Sequence, residues 1–396
     1  MPAISSKGNL DLRAIPLIDG HCHSIDANYQ SSSASDFLRI FSEAADRQFI
    51  AQHVPHTLTY QRAIRELAAF LGCAPNVEAI LEARRGMPAY LPALYQDAGI
   101  GGVLVDSVYP PRGLDLDQLQ DGFGCYVGEV LRLESLEEKL LLTTPDFPSF
   151  EQRFQETLRT AKARGVVALK SIVAYRSGLA IQKVSVAEAR QTFQQLKPLA
   201  ERQGHLRLTA KPLLDYCLAM AFQEARQLEL PVQFHTGFGD PDIDILTANP
   251  ALLRPILADP LAAGVPLVLL HMGYPYVRES AFLASIYAHV YVDVSLVVTL
   301  LPQLMPHLLQ ELLALAPTTK ILYGSDGHSQ PEMGWLGARY GRWALGVVLS
   351  RMLGEGVLEA REVQEIAERI CFRNALELYR LDLPWMESKP EPRGSG

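Results

Sequence analysis

Two histidines separated by one residue, His21 and His23, end an apolar run near the start of the chain. Side chains alternate between the two faces of a β-strand, so residues two positions apart point the same way. The two imidazoles would therefore face one point at the end of a strand. Neutral imidazole is among the commonest protein ligands for zinc and related divalent metals. A single histidine pair is equally compatible with hydrogen-bonded or surface roles, so the inference depends on which residues end the other strands.

Four more side chains with metal-binding or catalytic chemistry follow short apolar runs elsewhere in the chain. Lys170, His235 and His271 stand directly after their runs, and Asp326 follows its run after Gly324-Ser325. In a parallel sheet with helical crossovers, the carboxyl ends of all strands lie on one side, so residues at those ends meet although they are far apart in sequence. The sequence therefore predicts one rim that carries four histidines, a lysine and an aspartate. Asp326 alone would be equally well explained as a helix N-cap.

The elements that must position these residues repeat as a short, continuously apolar run followed by a helical stretch. Continuous apolar character is typical of strands buried on both faces. The runs are 16–18, 102–105, 127–133, 166–169, 232–234, 265–270, 290–294 and 321–323, and the clearest helical segments are 150–164, 186–203, 212–228, 275–288 and 302–316. Eight strands alternating with helices favour a (β/α)8 barrel of the TIM type, with a doubly wound open sheet as the alternative.

Two segments fall outside this alternation. Residues 36–95 form a mainly helical insertion after the first strand, and residues 334–379 contain two or three C-terminal helices. An insertion at that point would cover the mouth of a barrel, where βα loops build active sites. We therefore expect a single domain over residues 1–387, with the insertion as a lid. Residues 388–396, rich in Pro, Gly and charge, are expected to form a disordered tail.

Composition excludes several classes of protein. The chain has 396 residues, of which 48% are hydrophobic, and a net charge of −8. An acidic chain without a basic cluster argues against nucleic acid as a partner. No apolar run is long enough to span a membrane, and the first residues lack the apolar segment of a secretory signal. Five scattered cysteines without a disulfide-like pattern fit a reducing cytoplasm.

Taken together, the order of these residues and their local sequences at 235–237, 271–275 and 324–328 resemble a known family. The chain resembles the metal-dependent amidohydrolase superfamily, in particular its amidohydrolase-2 branch. Within that branch it is similar to the amidohydrolase-like half that some proteins carry fused to a glutamine-synthetase-like domain. The resemblance covers the chain from about residue 18 to residue 379.

The resemblance implies a ligand set for divalent metal, most simply zinc, with one or two ions. His21, His23 and Asp326 would hold one ion, and His235 and His271 a second, with Lys170 carboxylated on its amine and bridging the two. In mononuclear relatives His235 joins the first site and His271 contacts substrate, so the number of ions stays open. Asp326 would also act as the catalytic base for a metal-bound hydroxide.

The implied function is hydrolysis of an amide or other C–N bond in a small carboxylate-bearing substrate. Tyr175 and Arg176, just past Lys170, and His328, two residues after Asp326, are candidate substrate contacts, since an arginine can clamp a carboxylate. One alternative is a non-hydrolytic decarboxylase or isomerase of the same superfamily with a single metal. A second alternative is a non-catalytic binding module. The sequence leaves a homo-oligomer open.

Overall fold

The computed structural model describes residues 3–4 and 9–383, and its centre is a sheet of eight parallel strands paired in chain order. The strands are β1 Leu17–His23, β2 Ile100–Asp106, β3 Tyr126–Arg132, β4 Val166–Ser171, β5 Val232–Phe234, β6 Leu267–Leu269, β7 Val290–Asp293 and β8 Ile321–Leu322. A doubly wound sheet would reverse its strand order near the middle, which this sheet does not do. The predicted (β/α)8 barrel is confirmed.

Backbone hydrogen bonds between the first strand and the last strand region close the barrel. The amide of Gly20 donates to the carbonyl of Tyr323 at 2.9 Å, and the amide of Asp326 donates to the carbonyl of His21 at 2.9 Å. The second of these bonds places the backbone of Asp326 beside that of His21. Barrel closure therefore brings together two residues 305 positions apart in the sequence.

The central strands are apolar and inaccessible to solvent. Helices cover their outer face, and their inner face points into the packed interior of the barrel. Every residue of β2, β5 and β6 is buried. The helices that follow the strands are α6 Leu116–Phe123, α7 Leu133–Thr143, α8 Phe147–Arg159, α9 Val186–Gln203, α10 Lys211–Leu228, α11 Arg254–Leu257, α12 Val277–Ile286, α13 Val297–Leu300 and α14 Met305–Leu313. Helix α9 begins after Ser185, whose hydroxyl and Glu188 form a capping box.

The insertion after β1 is helical, and one fully buried ion pair ties it to the C-terminal helices. Its helices are α1 Ala34–Leu38, α2 Arg47–His53, α3 Leu58–Leu71, α4 Val77–Arg85 and α5 Tyr90–Asp97; the chain ends with α15 Glu332–Gly354, α16 Ala360–Glu368, a π-helical turn Arg369–Arg373 and α17 Asn374–Tyr379. Arg84 of α4 lies 3.0 Å from Glu332 of α15, with both side chains inaccessible to solvent. This contact anchors the insertion beside the loop that follows β8.

The remaining short elements connect these parts. Residues Ala3–Ile4 and Leu10–Asp11 pair antiparallel, and 3₁₀ turns lie at Tyr29–Ser31, Arg39–Phe41, Val54–His56, Lys162–Arg164, Val173–Tyr175, Pro250–Leu253, Leu270–Gly273 and Thr318–Lys320. Among the helices of the described residues, we find none with the length and apolarity needed to cross a bilayer. The tail predicted at 388–396 lies outside the described residues.

Candidate metal centre

All six side chains that the sequence places at strand ends meet at the carboxyl end of the barrel. His21 and His23 belong to the last residues of β1, and Lys170 to the end of β4. The other three, His235, His271 and Asp326, follow β5, β6 and β8 in the connecting loops. All but His23 are buried, and the side chain of His23 is only 11% exposed.

Three of these residues form a group that we call the acceptor cluster: His21, His23 and Asp326. Their ligand atoms lie within 4.8 Å of one another. Nε2 of His21 is 3.1 Å and Nε2 of His23 is 3.4 Å from Oδ1 of Asp326. Oδ1 of Asp326 nevertheless accepts no hydrogen bond, although it is buried. The three atoms therefore face a common point without satisfying one another.

The hydrogen bonding of His23 indicates what belongs at that point. Nδ1 of His23 lies 3.1 Å from the backbone carbonyl of Asp106, which can only accept, so Nδ1 carries the proton. Nε2 then directs a lone pair toward the carboxylate oxygen of Asp326. Two buried acceptors that face each other need a cation between them, and imidazole with carboxylate is a donor set suited to zinc. The residues of the acceptor cluster therefore fit a divalent metal.

The electrostatics of the acceptor cluster favour the protonation states that a metal requires. Burial lowers the pKa of His21 to about 3, so its imidazole is neutral at physiological pH. Burial raises the pKa of the Asp326 carboxyl, but the imidazoles around it, His271 first, outweigh that effect and hold the pKa well below its usual range. Asp326 is therefore ionised.

Lys170 lies against the acceptor cluster. Its Nζ is 2.8 Å from Nε2 of His21, and its side chain is almost fully buried. Burial lowers the pKa of the Lys170 amine from 10.5 to about 8. Only the neutral amine reacts with carbon dioxide, so this environment favours the chemistry that the carboxylated-lysine prediction requires. The next residue, Ser171, donates its hydroxyl to Oε1 of Glu134 at 2.6 Å.

The remaining two histidines belong to a second group, which we call the imidazole chain: His235, His271, Ser295 and Asp293. Nδ1 of His235 and Nε2 of His271 are 3.0 Å apart, and Nδ1 of His271 is 2.9 Å from the hydroxyl of Ser295. That hydroxyl lies 2.6 Å from Oδ1 of Asp293. At the other end, Nε2 of His235 is 3.1 Å from the carbonyl of Phe238. Every ring nitrogen of this chain has a polar atom within hydrogen-bonding distance.

Counting hydrogens shows which contacts of the imidazole chain can be hydrogen bonds. Its four contacts need four hydrogens, while two neutral imidazoles and one hydroxyl supply three. Oδ1 of Asp293 accepts from the Ser295 hydroxyl and from the backbone amides of His271 and Ser295. The chain is therefore ordered from this end, and Nε2 of His235 keeps a lone pair. Burial lowers the pKa of His271 to about 4. Both imidazoles can therefore stay neutral.

The backbone that carries these residues is bent into unfavourable conformations. His271, Met272 and Asp326 have φ values of 63°, 55° and 56°, in the left-handed region that non-glycine residues rarely adopt. Such residues cluster where a side chain must be aimed at a site. Gly237 has φ 75°, and a Cβ there would lie 2.2 Å from the carbonyl oxygen of Tyr274, which explains the glycine after His235-Thr236.

A cavity of about 610 Å³ opens above the two groups of residues. From the predicted ligand set, four side chains line it: His23, Lys170, His235 and Asp326. His21 and His271 lie behind them. The first part of the insertion, including Arg39 and Glu43, lines the outer part of the cavity. The remainder of the insertion packs elsewhere on the barrel and α15, so only this part lies over the site.

The structure places all three predicted substrate contacts, Tyr175, Arg176 and His328, on the cavity wall. The ring of Tyr175 lies 4.3 Å from that of His235, and Arg176 is 3.3 Å from Glu138. Burial lowers the pKa of His328 to about 4, so it lines the cavity as a neutral imidazole. Arg176 is therefore a largely buried, ion-paired group rather than a free surface arginine.

Several residues around the site were not predicted from the sequence. Asp106, Arg132 and Asp293 each stand at the carboxyl end of a strand, as Lys170 does. The same positional rule, applied to aspartate and arginine at every predicted strand end, would have found them. Glu43 lies in the insertion, where no strand indicates its direction, so no sequence signal identifies it.

Comparisons with known proteins agree with this geometry. Residues 148–381 match the amidohydrolase family. A crystal structure of a Lactobacillus casei protein assigned to the metal-dependent hydrolases is 30% identical, with a TM-score of 0.84. The similarity covers 94% of this chain and 98% of that protein.

Two further comparisons differ in how much of the relative is covered and in sequence identity. The protein fluG of Emericella nidulans is 29% identical over 96% of this chain and 47% of its own length, so this chain spans about half of that relative. The uronate isomerase of Thermotoga maritima has a TM-score of 0.67 over 93% of this chain and 95% of its own chain. At 15% identity, the isomerase indicates the fold alone.

Proposed function

The chain belongs to the amidohydrolase family, and from this premise we propose that it is a metal-dependent hydrolase of a small carboxylate-bearing amide or other C–N compound. The observation that carries this proposal is the acceptor cluster at the floor of a polar cavity. Its three ligand atoms, contributed by His21, His23 and Asp326, converge without hydrogen bonds to one another. Such an arrangement is costly unless a cation completes it.

The proposed metal ligands divide into two sets. His21, His23 and Asp326 would hold one divalent ion, for which zinc is the simplest candidate. His235, His271 and a carboxylated Lys170 would hold a second ion. A bound divalent ion lowers the pKa of water toward neutrality and polarises a carbonyl group.

The chain's own residues would handle the protons and orient the substrate. Asp326 is ionised and lines the cavity, so its carboxylate can accept a proton from water and pass it to the leaving nitrogen. Tyr175, Arg176 and His328 on the wall would contact the substrate. The segment of the insertion that carries Arg39 and Glu43 would limit access of bulk water.

A second candidate is a non-hydrolytic decarboxylase or isomerase with a single metal. The observation in its favour is that His235 and His271 are hydrogen-bonded to each other, whereas the acceptor cluster is the one metal-like group found among the described residues. In this alternative Lys170 keeps its free amine. The free cysteines, Cys22, Cys73, Cys125, Cys217 and Cys371, support a proposed location in a reducing cytoplasm.

Turnover in water labelled with heavy oxygen separates the two candidates. The zinc-loaded protein is incubated with a library of carboxylate-bearing amides, N-acyl amino acids and uronic acids, and products are identified by mass spectrometry. Hydrolysis releases an amine and a carboxylate that carries one labelled oxygen. Release of carbon dioxide, or a product of unchanged mass, would contradict hydrolysis and support the second candidate. Asp326→Asn serves as the inactive control.

A further inference from the structure

Arg132 stands at the carboxyl end of β3, close to the acceptor cluster. It is paired in register with Lys170 on the neighbouring strand β4. Neighbouring strands are about 4.8 Å apart, so the two side chains begin within one strand spacing of each other. Arg132 lines the cavity together with Lys170, His23 and Asp326. Its side chain is only 13% exposed.

The guanidinium of Arg132 is fixed along one edge and free along the other. Nε and Nη2 lie 2.8 Å and 2.6 Å from the same oxygen, Oδ2 of Asp106, whose side chain is inaccessible to solvent. The opposite edge, formed by Nη1 and the second hydrogen of Nη2, has no partner among residues 9–383. A planar guanidinium held this way presents two parallel donors, the geometry that a carboxylate accepts.

Asp106 also connects Arg132 to the acceptor cluster. Its backbone carbonyl lies 3.1 Å from Nδ1 of His23, and its Oδ2 lies 3.8 Å from the same nitrogen. The residue that orients His23 therefore also orients Arg132. Because Arg132, His23 and Asp326 line one cavity, a carboxylate on the free edge of Arg132 would occupy the same cavity as the acceptor cluster.

Other arginines of the cavity differ from Arg132 in position or exposure. The side chain of Arg112 is 77% exposed and lies 3.9 Å from Asp26. Arg207, half exposed, is paired with Asp242. Arg39, on the insertion, is also exposed. The side chain of Arg176, 11% exposed, is as buried as that of Arg132, but it is paired with Glu138 of α7 and follows β4 by several residues.

We propose that the free edge of Arg132 binds the carboxylate of the substrate. This inference rests on the proposed function and narrows its substrate class. Because Arg132 and Lys170 are neighbours in register, the bound carboxylate must lie a few bonds from the carbonyl that is attacked. N-acyl α-amino acids and monoamides of short dicarboxylic acids meet that condition, whereas amides with a distant carboxylate do not.

Binding of glutarate, a short dicarboxylate that cannot be hydrolysed, tests the inference without turnover. Calorimetric dissociation constants are compared for the metal-loaded wild type, Arg132→Met, Arg132→Lys and the matched control Arg112→Met. Loss of a bidentate, charge-assisted contact predicts that Arg132→Met binds glutarate roughly 10- to 100-fold more weakly. Arg112→Met is expected to bind within about twofold of wild type, since Arg112 is exposed at the cavity mouth.

The lysine variant is the control for misfolding of Arg132→Met. Arg132→Lys keeps a positive charge beside buried Asp106 but lacks the second donor edge, so we expect it to retain metal and to bind glutarate at least about threefold more weakly. Equal affinity in wild type and both Arg132 variants would overturn the inference. So would the absence of glutarate binding by wild type, or binding that disappears in His21→Ala but survives in Arg132→Met, which would indicate direct metal coordination.

The glutarate measurement is independent of the hydrolysis assay. Loss of glutarate affinity in the Arg132 variants would support the carboxylate site even if the enzyme proved to be a decarboxylase. Conversely, hydrolysis of a carboxylate-bearing amide with unchanged glutarate affinity in those variants would preserve the proposed function and contradict the proposed role of Arg132.

Discussion

The acceptor cluster and the imidazole chain share one rim of the barrel, but they satisfy their polar atoms in opposite ways. In the acceptor cluster, ring nitrogens and the carboxylate of Asp326 approach within 3.1–3.4 Å without a hydrogen bond to that oxygen. In the imidazole chain, hydrogen bonds run from His235 through His271 and Ser295 to the carboxyl of Asp293. Burial is similar in both groups.

This difference gives the two groups different relationships to a metal ion. In the acceptor cluster, the lone pairs of His23 Nε2 and Asp326 Oδ1 face each other without a proton between them, so a cation relieves an existing electrostatic cost. In the imidazole chain, His235 and His271 are hydrogen-bonded to each other, so a second ion that binds both must displace that hydrogen bond. We therefore expect the first ion to bind more tightly than the second, with Lys170 between the two groups deciding whether the second binds at all.

The largest expected effect comes from breaking the acceptor cluster. His21→Ala and Asp326→Asn should each lower kcat by about 1,000-fold or more, because they remove a ligand and, for Asp326, the proposed base. Elemental analysis should find less metal per chain in both variants. Circular dichroism should find both folded, since neither side chain is part of the hydrophobic core cluster. An unfolded variant would instead make the site structural.

Removing Lys170 tests the connection between the two groups. In protein grown with added zinc and bicarbonate, we expect two ions per chain, and one or none in Lys170→Met, with activity lower by at least about 100-fold. Lys183→Met, which removes an exposed lysine paired with Asp259, is the matched control and should leave both quantities unchanged. One ion in both wild type and Lys170→Met would establish a mononuclear site and favour the non-hydrolytic candidate.

A smaller effect is expected from the far end of the imidazole chain. Asp293→Asn keeps an acceptor for the backbone amide of His271, now 2.8 Å from Oδ1, but replaces the carboxyl group that accepts from the Ser295 hydroxyl with a neutral amide. Activity should fall about 10- to 100-fold, and the free energy of unfolding by about 1–3 kcal/mol. Metal in the acceptor cluster should be unaffected. Complete loss of metal from Asp293→Asn would mean that the two groups act as one unit.

Much of this arrangement could be predicted from the sequence because the relevant rules are local. Alternation along β1 placed His21 and His23 on one side, and the apolar runs before Lys170, His235 and His271 marked the strands that carry them. Parallel strands then brought those ends to one rim. Helix α9 was predicted to its observed bounds, since Ser185 and Gly204 mark its ends.

The features that could not be predicted depend on side-chain geometry. The 3.0 Å contact between His235 and His271 joins loops that follow different strands, and no pattern in the sequence indicates it. The role of Arg132 depends on which edge of its guanidinium meets Asp106. Helices α6 and α7 were missed, and the strand run 127–133 was extended into α7, because Leu133 continues the apolar pattern while the backbone turns.

The pH dependence of metal loading is the smallest of the expected effects and separates the two groups without a mutation. Lys170 must be neutral to be carboxylated, and burial sets its pKa at about 8. Its neutral fraction therefore rises roughly tenfold between about pH 7 and pH 9. His21 and His271, whose pKa values burial lowers to about 3 and 4, do not titrate in that interval.

At a fixed concentration of dissolved carbon dioxide, the second ion should therefore load more completely as pH rises through about 8, while loading of the first ion stays constant. Lys170→Met should lose this dependence. A second ion that loads equally at both ends of the interval would contradict a bridging role for Lys170. It would mean that His235 and His271 bind the second ion without a carboxylated Lys170. Their mutual hydrogen bond would then be too weak to hinder binding of that ion.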